Sequence, residues 1–196
     1  MKKSIYLGVL ILTTTVFVFS GCKRGEEDPW LTFHSRDARM TQQWLLVSLQ
    51  GTIVETFDND SIVNTEYTFD GTNLYETSAG ETDSYGFIYK MNVKSNGEIF
   101  SEEFRTNAID GTSVSESSRI GFWFWGSDDK NKSSVNLDLT GLLSSYTNYD
   151  IPRLAWNDMT LAVSSSDNYT LSTGESYSIN TNFELNFEVD LDALAQ

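Results

Sequence analysis

Cysteine occurs once in these 196 residues, histidine once and proline twice. With Cys22 alone, no disulfide forms within the chain. If that thiol is modified, thiolate nucleophiles and cysteine metal sites are excluded as well. With His34 alone, and placed ahead of the β pattern, a Ser-His-Asp relay lacks the histidine it needs beside a nucleophile. Basic residues are scarce: 13 Lys and Arg stand against 28 Asp and Glu, for a formal net charge of -15. Such a surface repels phosphate backbones, so nucleic acid is not an expected partner. It also disfavours adsorption to anionic headgroups. After residue 22 no apolar run approaches the roughly 20 residues that span a bilayer as a helix. Gly-x-Ser-x-Gly, His-Glu-x-x-His and a phosphate-cradling glycine loop are all missing.

What is present begins with residues 1–22. Lys2 and Lys3 form a positive start, an apolar run follows from Ile5 to Phe19, and Ser20 and Gly21 precede Cys22. This is the layout of a secretory signal with a small-residue cleavage site. Because the site ends on the sole cysteine, it resembles a bacterial lipobox. That resemblance implies a covalent diacylglycerol and N-acyl lipid on Cys22, with no other cofactor, and an outer-membrane location displayed on the periplasmic or the cell-surface side. The alternatives are a plain signal peptide with an incidental cysteine, or an uncleaved anchor. The expected organisation is a lipoprotein signal peptide over residues 1–21, an acylated cysteine and acidic tether over 22–33, and one domain over 34–196. Loss of the signal, which carries two lysines and no acid, takes the net charge to -17. Glu26-Glu27-Asp28 resembles the acidic export signals of surface-displayed lipoproteins of the Bacteroidota, and it is equally the polar composition of any tether.

Residues 34–43 hold good helix formers, and Ser35 is a ready N-cap. From Trp44 on, the hydrophobic period is two. Residues 44–57 read as a long strand that kinks near Gly51, and Asp70-Gly71, Asn96-Gly97 and Asp110-Gly111 read as tight turns. Residues 164–177, rich in Ser, Thr and Asn, read as a loop. The last strand is the clearest: Ile179, Thr181, Phe183, Leu185, Phe187, Val189 and Leu191 share one face, and Asn180, Asn182, Glu184, Asn186, Glu188 and Asp190 share the other. One wet face and one dry face indicate an antiparallel sheet. About eight to ten short-spaced strands form a closed barrel or a sandwich, and hairpin connections throughout favour the up-and-down barrel.

Four stretches carry a family resemblance: Asp28-Pro29-Trp30-Leu31 with the run 35–41, Trp44 at the head of the first strand, Gly121-Phe122-Trp123-Phe124-Trp125-Gly126, and the hairpin over 151–161. Taken together, the chain resembles the small lipocalin-like lipoproteins of the Bacteroidota. The resemblance implies an all-β, eight-stranded up-and-down barrel with a short N-terminal helix closing one end, and it implies no catalytic activity. A small apolar ligand held in such a barrel would be lined by Trp44, Tyr89, Trp123, Phe183 and Phe187. A barrel of this size either holds one ligand or fills with side chains, and 13% aromatic residues favour filling.

Other chemistry is thinly supported. Glu102, Glu184 and Glu188 read as solvated carboxylates and not as a sugar-cleaving pair. Asp58-Asn59-Asp60 and Ser127-Asp128-Asp129 lack the full spacing of calcium loops. Residues 119–125 are apolar on both faces. The resemblance implies that Trp123 and Trp125 point inward, which leaves Phe122 and Phe124 outside. There they are covered by the chain itself, or they form an aromatic patch for a partner such as an envelope protein complex.

Overall fold

The computed structural model describes residues 34–59, 61–126, 132–172 and 175–191. Cys22, the signal and the tether lie outside these residues, as do Asp60 and Ser127-Asp128-Asp129 of the acidic turns.

A short helix, α1 (Arg36–Met40), precedes ten strands: β1 (Gln43–Phe57), β2 (Ile62–Phe69), β3 (Asn73–Ser78), β4 (Glu81–Val93), β5 (Glu98–Asn107), β6 (Ser113–Trp125), β7 (Ser134–Leu137), β8 (Asn148–Leu154), β9 (Asp158–Thr170) and β10 (Ser176–Val189). Each pairs antiparallel with its sequence neighbours, and β1 closes against β10, giving a closed barrel. The architecture is the expected all-β antiparallel barrel, but with ten strands and not about eight. The difference has a local cause. The first residues of β1 pair directly with β4, through Gln43↔Asn92, Trp44↔Met91 and Leu45↔Lys90. From Leu49 onward β1 pairs instead with β2. The β2–β3 hairpin is therefore wedged between β1 and β4 at one end only, and the α1 end is closed by the other eight strands.

Local chemistry explains the turns and the cap. Gly97 sits at φ 89°, a conformation open to glycine, and lets Lys94 and Glu98 close the β4–β5 hairpin. Ser35 Oγ accepts the Ala38 N–H at 3.1 Å and starts α1. Pro152 lies inside the register shift between Asp150 and Arg153, where no ladder N–H is required of it.

Two strand-level expectations are corrected. The irregularity in β1 falls between Leu46 and Ser48, not at Gly51, which stays in register with Phe183. The stretch 164–177 is mostly strand: β9 runs to Thr170 and pairs with β10 as far as Thr170↔Ser176. Its polar composition reflects exposure of both faces near the open end, where the ladder and not a buried face holds the strand.

The core sits in the half nearest α1. Met40, Trp44, Leu74, Tyr89, Ile99, Leu161, Leu185 and Phe187 are among its fully buried members. The Trp44 indole N–H donates to the Met40 carbonyl at 3.0 Å, tying the helix to the first strand. Asp37 on the other side of α1 accepts the Trp125 indole N–H at 2.7 Å and pairs with Lys132, whose ammonium lies 5.1 Å from the Trp125 ring centroid. The Lys132 hydrogen bond, foremost among several contacts, holds the Asp37 carboxyl below its usual value of 3.8. A depressed carboxylate stabilises the docked helix above its unfolded pKa, and that contribution fades as pH falls through the lowered one. Lys132→Met is expected to bring the Asp37 titration back toward 3.8, read by NMR of its carboxyl carbon. An unchanged midpoint would count against the pairing. The group is half-exposed, so the accompanying loss of stability is small.

Candidate functional site

Trp44, Tyr89, Phe183 and Phe187 are 0–1% exposed, and Trp123 is buried beside them. All five point into the barrel, as expected. They form part of one continuous apolar cluster with the leucines and methionines of β1, β9 and β10, so the chain's own side chains fill the space between them.

The upper part of this interior is closed by the chain itself. Residues 138–147 link β7 to β8 and carry a single 3-10 turn, Gly141–Leu143. Leu139 and Leu143 are buried in the cluster. Four inward-facing side chains receive the segment's backbone. Ser101 Oγ accepts the Thr140 N–H at 3.1 Å, Tyr89 donates its hydroxyl to the Thr140 carbonyl at 3.2 Å, and Glu103 accepts the Leu142 N–H at 2.7 Å. Tyr149 donates to the Leu143 carbonyl at 3.2 Å. Burial pushes the Tyr89 and Tyr149 hydroxyls well above the ordinary phenol range, so both remain donors at any physiological pH. Glu103 is buried and its second oxygen accepts from Arg105 at 2.8 Å; the Arg105 guanidinium in turn lies 5.6 Å from the Phe87 ring centroid. A buried carboxylate with both oxygens engaged is a structural anchor. The segment occupies the place in the barrel where an enclosed ligand would sit.

The strip on the opposite side of β6 is bare. Ile120, Phe122 and Phe124 alternate with the inward Gly121 and Trp123 and are 74, 68 and 61% exposed. Register places Ile120 beside Phe100 of β5 and Phe122 beside Glu98. Three large apolar side chains in a row on a wet sheet face are unusual for an isolated domain.

The remaining candidates are dispersed. His34 stacks on Trp156, ring centroids 3.8 Å apart, at the α1 end. Glu102, Glu184 and Glu188 alternate with inward-facing neighbours on β5 and β10, and so lie on the outer face. Asn59 closes a turn by accepting from Ser61 through both its N–H and its hydroxyl. Among the described residues no group of three or more His, Cys, Asp or Glu is placed to hold a metal ion.

Sequence reasoning missed Ser101, Glu103 and the 138–147 segment. Their signal lay in the parity of β5: Ile99, Ser101, Glu103 and Arg105 share the inward face, while Phe100 and Phe104 face out, inverting the usual rule. Comparison with protein-family models, with curated proteins and with solved structures finds no match.

Proposed function

We propose that this chain is a lipid-anchored, lipocalin-like outer-membrane protein that works as a non-catalytic accessory binding module, docking an envelope protein through the outer strip of β6. The single observation that carries this reading is the exposure of Ile120, Phe122 and Phe124. The filled interior supports it from the other side, since it leaves an enclosed apolar ligand little room among Trp44, Tyr89, Trp123, Phe183 and Phe187. The anchor on Cys22 and the membrane location rest on the signal and lipobox pattern of residues 1–22. The acidic surface favours a partner whose contact face is apolar with a neutral or basic rim.

A photo-crosslinking residue placed at Phe122 in living cells tests this, with the same residue at Asn182, on the outer face of β10, as reference. The expected result is a discrete adduct with a second protein from Phe122 and none from Asn182. An adduct internal to the chain, joining Phe122 to residues 22–33, would show that the tether covers the strip and overturn the proposal. So would equal labelling from both positions. Phe122→Ser with Phe124→Ser should abolish the adduct from Ile120 while changing stability by no more than about 0.5 kcal/mol, as for exposed positions generally.

A further inference from the structure

We propose that the open end of the barrel carries a second site, for a small organic cation with an ammonium head on an apolar stem, seated on Phe57 beside Tyr177, between Asp58 and Glu175. The site is remote from the β6 strip and independent of it.

The last inward-facing residues of three neighbouring strands are aromatic. Register sets Phe57 of β1 opposite Tyr177 of β10, and Tyr177 opposite Tyr169 of β9. The rings stack: centroids lie 5.9 Å apart at 22° for Phe57–Tyr177 and 5.1 Å apart at 18° for Tyr169–Tyr177. Phe57 and Tyr169 remain partly exposed. At a barrel mouth, stacked and wet rings do no work for the core, whose outermost buried ring on β10, Phe183, lies three inward positions deeper than Tyr177.

The hollow beside this ladder has a volume of 330 Å³, within the range of small-molecule sites. Phe57, Tyr177 and Leu171 give it an apolar floor, and Asp58, Asn59 and Glu175 give it polar walls. Among the described residues none that lines it is basic. Asp58 accepts the Ser176 N–H and so joins the β1–β2 turn to the start of β10, fixing one wall in place. One residue pair below the ladder, Glu55 and Asp167 flank Ile179 on the same face, so the field at the hollow is negative from beneath as well. An aromatic face with carboxylates around it attracts ammonium groups by cation–π and Coulomb terms together, and the net negative charge of the chain concentrates cations nearby. An anionic ligand would face the carboxylates of Asp58 and Glu175. A metal ion lacks the three convergent ligands it needs among the described residues.

Two sources share this chemistry, a free quaternary amine and a lysine side chain on a peptide. The test is an amide NMR titration of the full chain with choline chloride, with a blocked lysine amide, and with the neutral tert-butyl isostere of choline, each against sodium chloride at matched ionic strength. The expected result is saturable shifts at Phe57, Ser176 and Tyr177 with one ammonium compound and none with the isostere; which ammonium compound binds more tightly assigns the source. Phe57→Leu keeps the apolar volume and removes the ring face, and should weaken binding about 2- to 30-fold. Asp58→Asn with Glu175→Gln, which keeps an acceptor for Ser176, should weaken it as well and serves if the leucine variant folds poorly. Equal binding of the neutral isostere, shifts confined to another surface, no saturable shift with either ammonium compound, or undiminished binding by the charge-neutral pair overturns the proposal.

Discussion

Replacing Gly141 by alanine is expected to expel the 138–147 segment from the barrel and to cost about 2–4 kcal/mol, the sum of left-handed strain and a buried carboxylate stripped of its donor. Gly141 has φ 62°, and a Cβ built there would lie 2.1 Å from Glu103 Oε2 and 2.4 Å from its carboxyl carbon. The carboxylate cannot swing away freely, because Arg105 and the Leu142 N–H hold its two oxygens. Moving it would leave a buried charge partly unpaired. For a domain of this size the loss corresponds to a fall in melting temperature of roughly 4–16 °C. Gly111 separates the two causes. It has φ 70° with nothing within 4 Å of its would-be Cβ, so Gly111→Ala reports the strain alone, about 1 kcal/mol. Hydrogen exchange supplies the second readout: the amides of Thr140 and Leu142 should lose protection in Gly141→Ala while those of Leu161 and Leu185 keep it. Equal destabilisation by the two alanines, or retained protection at Leu142, would falsify the view that Glu103 locks the segment.

The contrast between what this segment does and how it reads explains where sequence reasoning stops. Period-two alternation found β10, β4 and β1 because each has one face in the apolar cluster, and burial leaves that imprint on composition. It found the inward direction of Tyr89, Phe183 and Phe187 for the same reason, whereas β6 is apolar on both faces and the inward direction of Trp123 came from the resemblance. It overlooked the outer half of β9, since residues 164–170 bury neither face and are held by ladder hydrogen bonds with β10. The alternation left eight to ten strands open and the resemblance implied eight; β2 and β3 stand as separate barrel strands only where β1 has parted from β4, a matter of register between strands far apart in sequence. The 138–147 segment left no periodic trace at all. Besides the local bond from Tyr149, its place is fixed by three side chains on two other strands, Tyr89, Ser101 and Glu103, through contacts between residues about forty to fifty positions apart. The aromatic ladder at the mouth was equally hidden, since Phe57, Tyr169 and Tyr177 belong to three different strands and meet only through pairing.

The interior meets its tightest constraint where β1 passes β10. Gly51 lies opposite Phe183, and a Cβ there would fall 2.0 Å from Phe183 Cδ1 and 2.7 Å from the Asn182 carbonyl oxygen. The ring covers the glycine and is itself hemmed in by Tyr67 and Tyr146, each 5.7 Å away between centroids. Tyr146 belongs to the segment that closes the interior, so a displaced Phe183 pushes on that closure. In a strand with room to spare, Gly→Ala would stabilise by about 0.4–1 kcal/mol through the unfolded chain. Here the expected sign is reversed: Gly51→Ala should cost about 1–3 kcal/mol by overpacking. A double-mutant cycle with Phe183→Leu decides whether the ring is the cause. Leucine is shorter and flexible, so it yields to the new methyl group. The leucine change alone should be destabilising, because it opens a cavity under Gly51. The double variant should be more stable than the two single losses predict, by about 0.5–3 kcal/mol, measured as urea midpoints at constant slope. Additive losses would mean that the Asn182 carbonyl, and hence the backbone itself, sets the glycine requirement. In that case Phe183 could be exchanged without freeing position 51.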